Sequence, residues 1–116
     1  VQDTAAGFVS IAESNQVAGE VLNLGTGFEI SIKETVELIG EVMGEEIEVI
    51  TDQKRIRPEK CEVNRLCSDN SKINELTGWS PGFKGKDGLK KGLKITADWF
   101  SDPANLAKYK SDIYNV

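Results

Sequence analysis

Apolar positions along this chain alternate between a helical period and a strand period, and the changes of period mark its elements. Ala5, Phe8, Val9 and Ala12 recur at helical spacing and predict a helix over about 4–14, with Asp3 or Thr4 as its cap. Glu20-Val21-Leu22-Asn23-Leu24-Gly25 alternates between glycines and predicts a short strand, followed by a Thr26-Gly27 turn and a brief extended Phe28-Glu29-Ile30. Ser31-Ile32-Lys33-Glu34 is a capping box. Ile32, Val36, Ile39 and Val42/Met43 follow at helical spacing, so a helix runs over about 32–43 and stops at Gly44.

Glu46 to Thr51 alternates acid and apolar and predicts a strand with one wet face. A charged loop over 52–62 follows, interrupted by Pro58, and Val63 to Cys67 is a second extended run. Ser68-Asp69-Asn70-Ser71 is rich in capping residues, and Ile73 and Leu76 predict a short helix over about 70–77, closed by Gly78. Leu89, Leu93, Thr96/Ala97 and Phe100 mark an amphipathic helix over about 86–100. Asp102-Pro103 starts a last short helix with proline at a favoured first position. The order α–β–α–β–β–α–α–α places the chain in the α/β class, with short strands and packed helices.

Composition narrows the function more than the fold. The 116 residues are 39% hydrophobic and 28% charged, ordinary values for a globular domain, and no apolar run approaches the ~20 residues needed to cross a bilayer. A net charge of −5 argues against nucleic-acid binding by general electrostatic attraction. The charge is unevenly spread: eight acids and one base between Glu29 and Asp52, five lysines and one acid between Lys84 and Lys94. Between these blocks lie Lys54, Arg55, Arg57 and Lys60. The chain has no histidine, which excludes Ser-His-Asp, Cys-His and zinc-hydrolase schemes. Cys61 and Cys67 alone make no zinc site; they fit small semi-buried thiols in a reducing cytoplasm.

Other patterns carry less. Gly25-Thr26-Gly27 follows a strand but has Ile30 where a dinucleotide fingerprint needs its third glycine, and Gly85, Gly88 and Gly92 follow a turn with Lys91 in that place. Tyr109 and Tyr114 have no lysine four residues on, so no Tyr-x-x-x-Lys acid/base pair exists. Trp79 and Trp99 read as core or edge packing. The basic loop is the strongest candidate for chemistry. Arg55 and Arg57 present planar forks that match phosphate oxygens at two points, and Pro58 restricts Arg57 to extended conformations. Glu62, five residues after Arg57, is placed to accept hydrogen bonds from a diol. The competing assignment is a solvated loop whose arginines pair with the acids of 45–52.

Four stretches stand in order: Val1-x-Asp3-Thr4-Ala5 before a helix; Glu20 to Gly27; Arg57-Pro58 followed by Asp69-x-Ser71-Lys72 and Gly78-Trp79-x-Pro81; and a closing helix ending in Trp99-Phe100. Together they resemble the C-terminal part of extended short-chain dehydrogenases/reductases, within them the nucleotide-sugar 4,6-dehydratases and 4-epimerases. The resemblance implies a single fragment over 1–116. Residues 1–30 would end a Rossmann-type sheet region, 31–116 would form the substrate-binding subdomain, and the Rossmann domain itself would be absent. In such enzymes NAD(P) oxidises the sugar at C4 with a Tyr-x-x-x-Lys pair; a dehydratase then eliminates water across C5–C6 and returns hydride to C6, whereas an epimerase returns it to the opposite face of C4.

Carried over by position, Arg57 would contact the diphosphate, Arg55 would assist, and Glu62 would hold the ribose hydroxyls. The ribose acid usually stands three residues after the arginine, where this chain has Lys60, so a two-residue insertion is inferred. No residue of the chain is assigned a catalytic, cofactor or metal role: NAD would belong to the parent enzyme, and the isolated chain is expected to be inert. Its expected partner is a nucleotide-diphosphate sugar, with no nucleic acid or membrane. The 20–25 edge suggests a homodimer or strand-exchanged dimer. A non-catalytic binding module remains open, as does an assembly role in which acidic helix 32–43 of one protomer pairs with lysine-rich 84–94 of another.

Overall fold

The computed structural model describes residues 1–50, 63 and 65–108. They form five helices: α1 (Gln2–Glu13), α2 (Ile32–Met43), α3 (Ser71–Thr77), α4 (Gly85–Ser101) and α5 (Pro103–Leu106). Helix α2 packs on α4, α4 on α5, and α1 on α3. All five lie within about two residues of their expected positions.

The helix ends show why. At α2 the Ser31 hydroxyl accepts from Glu34 N (3.1 Å), and the Glu34 carboxylate accepts from Ser31 N (3.0 Å), so two orphan donors are satisfied reciprocally. Gly44 (φ 70°) and Gly78 (φ 71°) close α2 and α3 in the left-handed conformation, which a side chain would strain. At α5 the Asp102 side chain accepts from Ala104 N at 2.8 Å, with Pro103 in the first turn.

Two helices turn a different face inward than their apolar spacing predicts. In α2, Leu38 (1% exposed) and Gly40 are the buried residues, whereas Ile32 and Met43 are largely exposed. In α1 the only buried position is Gly7, and Phe8 and Val9 face solvent. Gly7 decides this: a Cβ there would overlap the Leu24 side chain, so the bare backbone is what lets Leu24 seat against α1. The expected α1 cap also differs. Val1 occupies the cap position without a side-chain bond, and the Asp3 carboxylate instead accepts from Gly82 N (2.9 Å) and Phe83 N (3.0 Å), tying α1 to the turn before α4.

Among the described residues no strand forms, which corrects the short-strand expectation at 20–25, 46–50 and 63–67. Residues 23–29 and 65–70 nonetheless lie beside one another. They are joined by side chains rather than a backbone ladder, so alternation of apolar residues was not enough to make a sheet. Among the described residues, buried apolar side chains are few: Leu38 on α2, Ile73 on α3 and Trp79 just after α3. Trp79 is held by its own backbone, its carbonyl accepting from Asn74 Nδ2 (2.9 Å) and its N–H donating to Thr77 Oγ1 (3.1 Å). Trp99 is half-exposed and meets Phe100 edge-on with ring centroids 4.8 Å apart. Cys67 is exposed rather than semi-buried, and Cys61 lies outside the described residues.

The acidic and lysine-rich segments, expected to pair between protomers, meet within one chain: Lys90 Nζ lies 2.7 Å from Glu41 Oε2, joining α4 to α2. None of the described helices is long and apolar enough to cross a membrane.

Candidate functional site

Arg55, Arg57 and Glu62 lie outside the described residues. What the structure shows is the frame in which residues 65–70 run along residues 23–29. The two runs pass in opposite directions. Asn70 Nδ2 donates to Gly25 O at 2.9 Å, Asn23 Nδ2 donates to Asp69 O at 3.3 Å, and farther along Arg65 grips Glu29 with both Nε (3.2 Å) and Nη2. Beyond Asn70, Lys72 pairs with Glu20 at 2.6 Å. Gly25 is required here: a Cβ would overlap Ser68 Cβ and sit 2.7 Å from its hydroxyl.

The electrostatics of this frame follow from its hydrogen bonds. The Arg65 guanidinium holds the Glu29 carboxyl below its ordinary value, and Glu29 in turn raises Arg65. Asp69 is lowered by the Ser71 hydroxyl (2.7 Å) and the Ser71 N–H (2.9 Å); the cap position of α3 is Asn70, which makes no side-chain cap bond, so Asp69, one of the expected capping residues, is not the cap. Arg65 was not singled out from the sequence. The signal available was its opposite charge to Glu29, but the antiparallel approach of the two runs is needed to make that a pair.

The described grooves do not suit a diphosphate. The larger, about 710 Å³ and open, lies between α2 and residues 45–49 and is lined by Val36, Gly40 and Ile47 with Glu37, Glu41, Glu45, Glu46 and one cation, Lys33. Four carboxylates outweigh the single lysine, which already lies 3.9 Å from Glu37, so the groove repels an anion. A second cleft of about 290 Å³, where α1 and α3 end, is lined by Ser10, Glu13, Ser14 and Thr77 among others and offers no cation.

Nor do the described residues fit a dinucleotide at Gly25-Thr26-Gly27. The α2 N-terminus that follows, where a pyrophosphate would sit, is filled by the Glu34 carboxylate, itself lowered by the Ser31 hydroxyl and N–H. Among the described residues no group of three or more His, Cys, Asp or Glu is placed to hold a metal ion.

Comparison with known proteins supplies the context. The chain is 30% identical over 101 residues to a GDP-6-deoxy-D-mannose reductase of Pseudomonas aeruginosa, covering 87% of this chain and 31% of that protein. It is 34% identical over 96 residues to a putative UDP-glucose 4-epimerase of Methanocaldococcus jannaschii (79% and 28%). It is 32% identical over 111 residues to a dTDP-D-glucose 4,6-dehydratase of Homo sapiens (91% and 31%). The chain thus spans less than a third of the length of these relatives. No family model and no solved structure matches it.

Proposed function

The chain is homologous to a segment of the nucleotide-sugar enzymes of the extended short-chain dehydrogenase/reductase family, and from that premise we propose that it is the nucleotide-sugar-binding segment of an NAD-dependent nucleotide-sugar 4,6-dehydratase. The observation that carries this reading is the match to reductase, epimerase and dehydratase relatives whose names all specify a nucleoside-diphosphate sugar. The dehydratase choice follows the resemblance of the sequence motifs, and the epimerase is the alternative. In this reading Arg57 pairs with the diphosphate, Arg55 adds a second fork, and Glu62 accepts from the ribose hydroxyls. Oxidation at C4 and the return of hydride belong to the NAD-bearing remainder of the enzyme, and the chain alone is inert.

Two structural features support a binding segment built into a larger body. Residues 23–29 and 65–70 form a braced frame that lies close in sequence to Arg57 and Glu62. Helix α1 exposes Phe8 and Val9, an apolar face suited to burial against a sheet-and-helix body that residues 1–30 would complete.

Calorimetric titration of the chain with UDP, GDP and dTDP tests the reading, with Arg57→Ala as the decisive variant. Losing a charge-assisted bond costs about 1.5–3 kcal/mol, a tenfold or greater loss of affinity. Binding unchanged by Arg57→Ala removes Arg57 from the site; no binding by the unaltered chain removes the nucleotide reading.

A further inference from the structure

The groove between α2 and residues 45–49 turns an anion away, and the same features suit cations carried on an apolar surface. Its α2 wall is one continuous stripe: Lys33, Val36, Glu37, Gly40, Glu41 and Gly44 fall on one side of the helix. The stripe rises about 16 Å, or three turns. Gly40 lets the other wall close in. A Cβ there would stand 2.9 Å from Glu45 O and 3.5 Å from Ile47 Cγ1, so the bare backbone admits residues 45–47 against α2. Val36, Ile47 and Val49 give the groove an apolar floor. Among the described residues nothing covers it: Ile47 is 43% exposed and Val49 70%.

Carboxylates stand on both walls, Glu37 and Glu41 on α2 and Glu45 and Glu46 opposite. Lys90 holds Glu41 at 2.7 Å, and Lys33 lies 3.9 Å from Glu37. Glu45 and Glu46 meet no cation among the described residues. An apolar floor between acidic walls is the complement of an apolar helical stripe flanked on both sides by Lys or Arg. Nucleic acid and anionic lipid carry the wrong charge for it. A small cation would leave the floor uncovered.

We propose that this groove is a docking site for a basic amphipathic helix of a partner protein, about three turns of which lie between the walls. Its apolar anchors, three and four residues apart, cover Val36, Ile47 and Val49, and its flanking cations meet Glu45 and Glu46. No residue of the nucleotide reading takes part, so the two stand or fall separately.

Fluorescence anisotropy with the 116-residue chain tests this. The probe is a labelled synthetic helix of about four turns, with leucines on one face and lysines along both flanks. Its scrambled isomer keeps the charge and loses the apolar face; a second control carries Glu in place of Lys. Only the ordered basic peptide is expected to bind, and raising salt from about 50 to 300 mM should weaken it several-fold. Ile47→Asp should weaken it about tenfold or more, and Glu46→Lys about fivefold. Glu75→Lys makes the same change of charge on α3, outside the groove, and should cost about twofold at most. Equal binding of the ordered and scrambled peptides, or equal effects of Glu46→Lys and Glu75→Lys, would reduce the interaction to overall charge and overturn the proposal. Unchanged binding by Ile47→Asp overturns it as well. Circular dichroism checks that each variant folds; if Ile47→Asp does not, Val49→Asp at the more exposed floor position decides. Self-association in sedimentation that Ile47→Asp abolishes would give the groove to a second copy of the chain and likewise overturn the partner assignment.

Discussion

Gly25→Ala isolates the tightest approach in the frame. Gly25 has no positive φ, so alanine meets no backbone penalty there and the whole effect is steric. The new Cβ would overlap Ser68 Cβ and lie 2.7 Å from Oγ and 3.8 Å from Cα. Rotating Ser68 moves its hydroxyl away but leaves its Cβ in place, so the backbone of one run must shift. Overpacking of this kind costs about 1–3 kcal/mol. The shift also weakens the Asn70–Gly25 bond, worth about 0.5–1.5 kcal/mol. Against these stands a gain of about 0.4–1 kcal/mol from the stiffer unfolded chain. The balance is a loss near 2 kcal/mol, or roughly 8 °C in melting temperature for a chain of this size.

Ser68→Gly supplies the control. Alone it costs about 0.5–1 kcal/mol through backbone freedom. Combined with Gly25→Ala it removes the colliding atom, so the double variant should be more stable than the sum of the two changes by at least 1 kcal/mol or so. Urea unfolding of the four proteins measures the cycle. Additivity within about 0.5 kcal/mol would show that the two residues do not meet as described.

Two further outcomes are expected. Gly88→Ala should be worse than Gly25→Ala, by about 1 kcal/mol or more, because its Cβ meets the Phe83 backbone, with Cα and O each at 2.8 Å, and no second substitution can remove backbone; circular dichroism melts measure it, and a neutral effect would refute the close packing of α4 on the turn before it. The carboxyls of Glu29, Glu34, Glu41 and Asp69 are all held below their ordinary values of 4.5 and 3.8, by Arg65, by Ser31, by Lys90 and by Ser71 respectively. A depressed carboxyl contributes stability that is complete above its unfolded value and lost as pH falls through its folded value. Stability should therefore be level near neutrality and decline below about pH 4.5, and Glu34→Gln should shallow that acid limb; a decline beginning near pH 6 would contradict the assignment.

Helices were legible where local chemistry alone decides them. The Ser31–Glu34 box, the glycines at 44 and 78, and Asp102-Pro103 each act within one turn, and each appears as expected. Faces were less legible. The stripe of Ala5, Phe8, Val9 and Ala12 suggests an inward surface, but Gly7 admits Leu24 on the other side, a choice made by a residue with no hydrophobicity to read. Asp3 has the chemistry of a cap, and its partners lie 79 and 80 residues away, beyond any local signal. The strand expectations failed because alternation describes a run with two faces and says nothing of whether a neighbour offers backbone or side-chain partners. Of the candidate site, residues 55, 57 and 62 lie outside what the structure describes, and only the frame close to them in sequence is visible.

The two tryptophans occupy opposite environments, one sealed beneath the turn that follows α3 and the other half open on α4. Their emission should therefore resolve into a blue component that iodide cannot quench and a red one that it can. Selective excitation of such built-in optical reporters would follow the two halves of the molecule separately, with no label added.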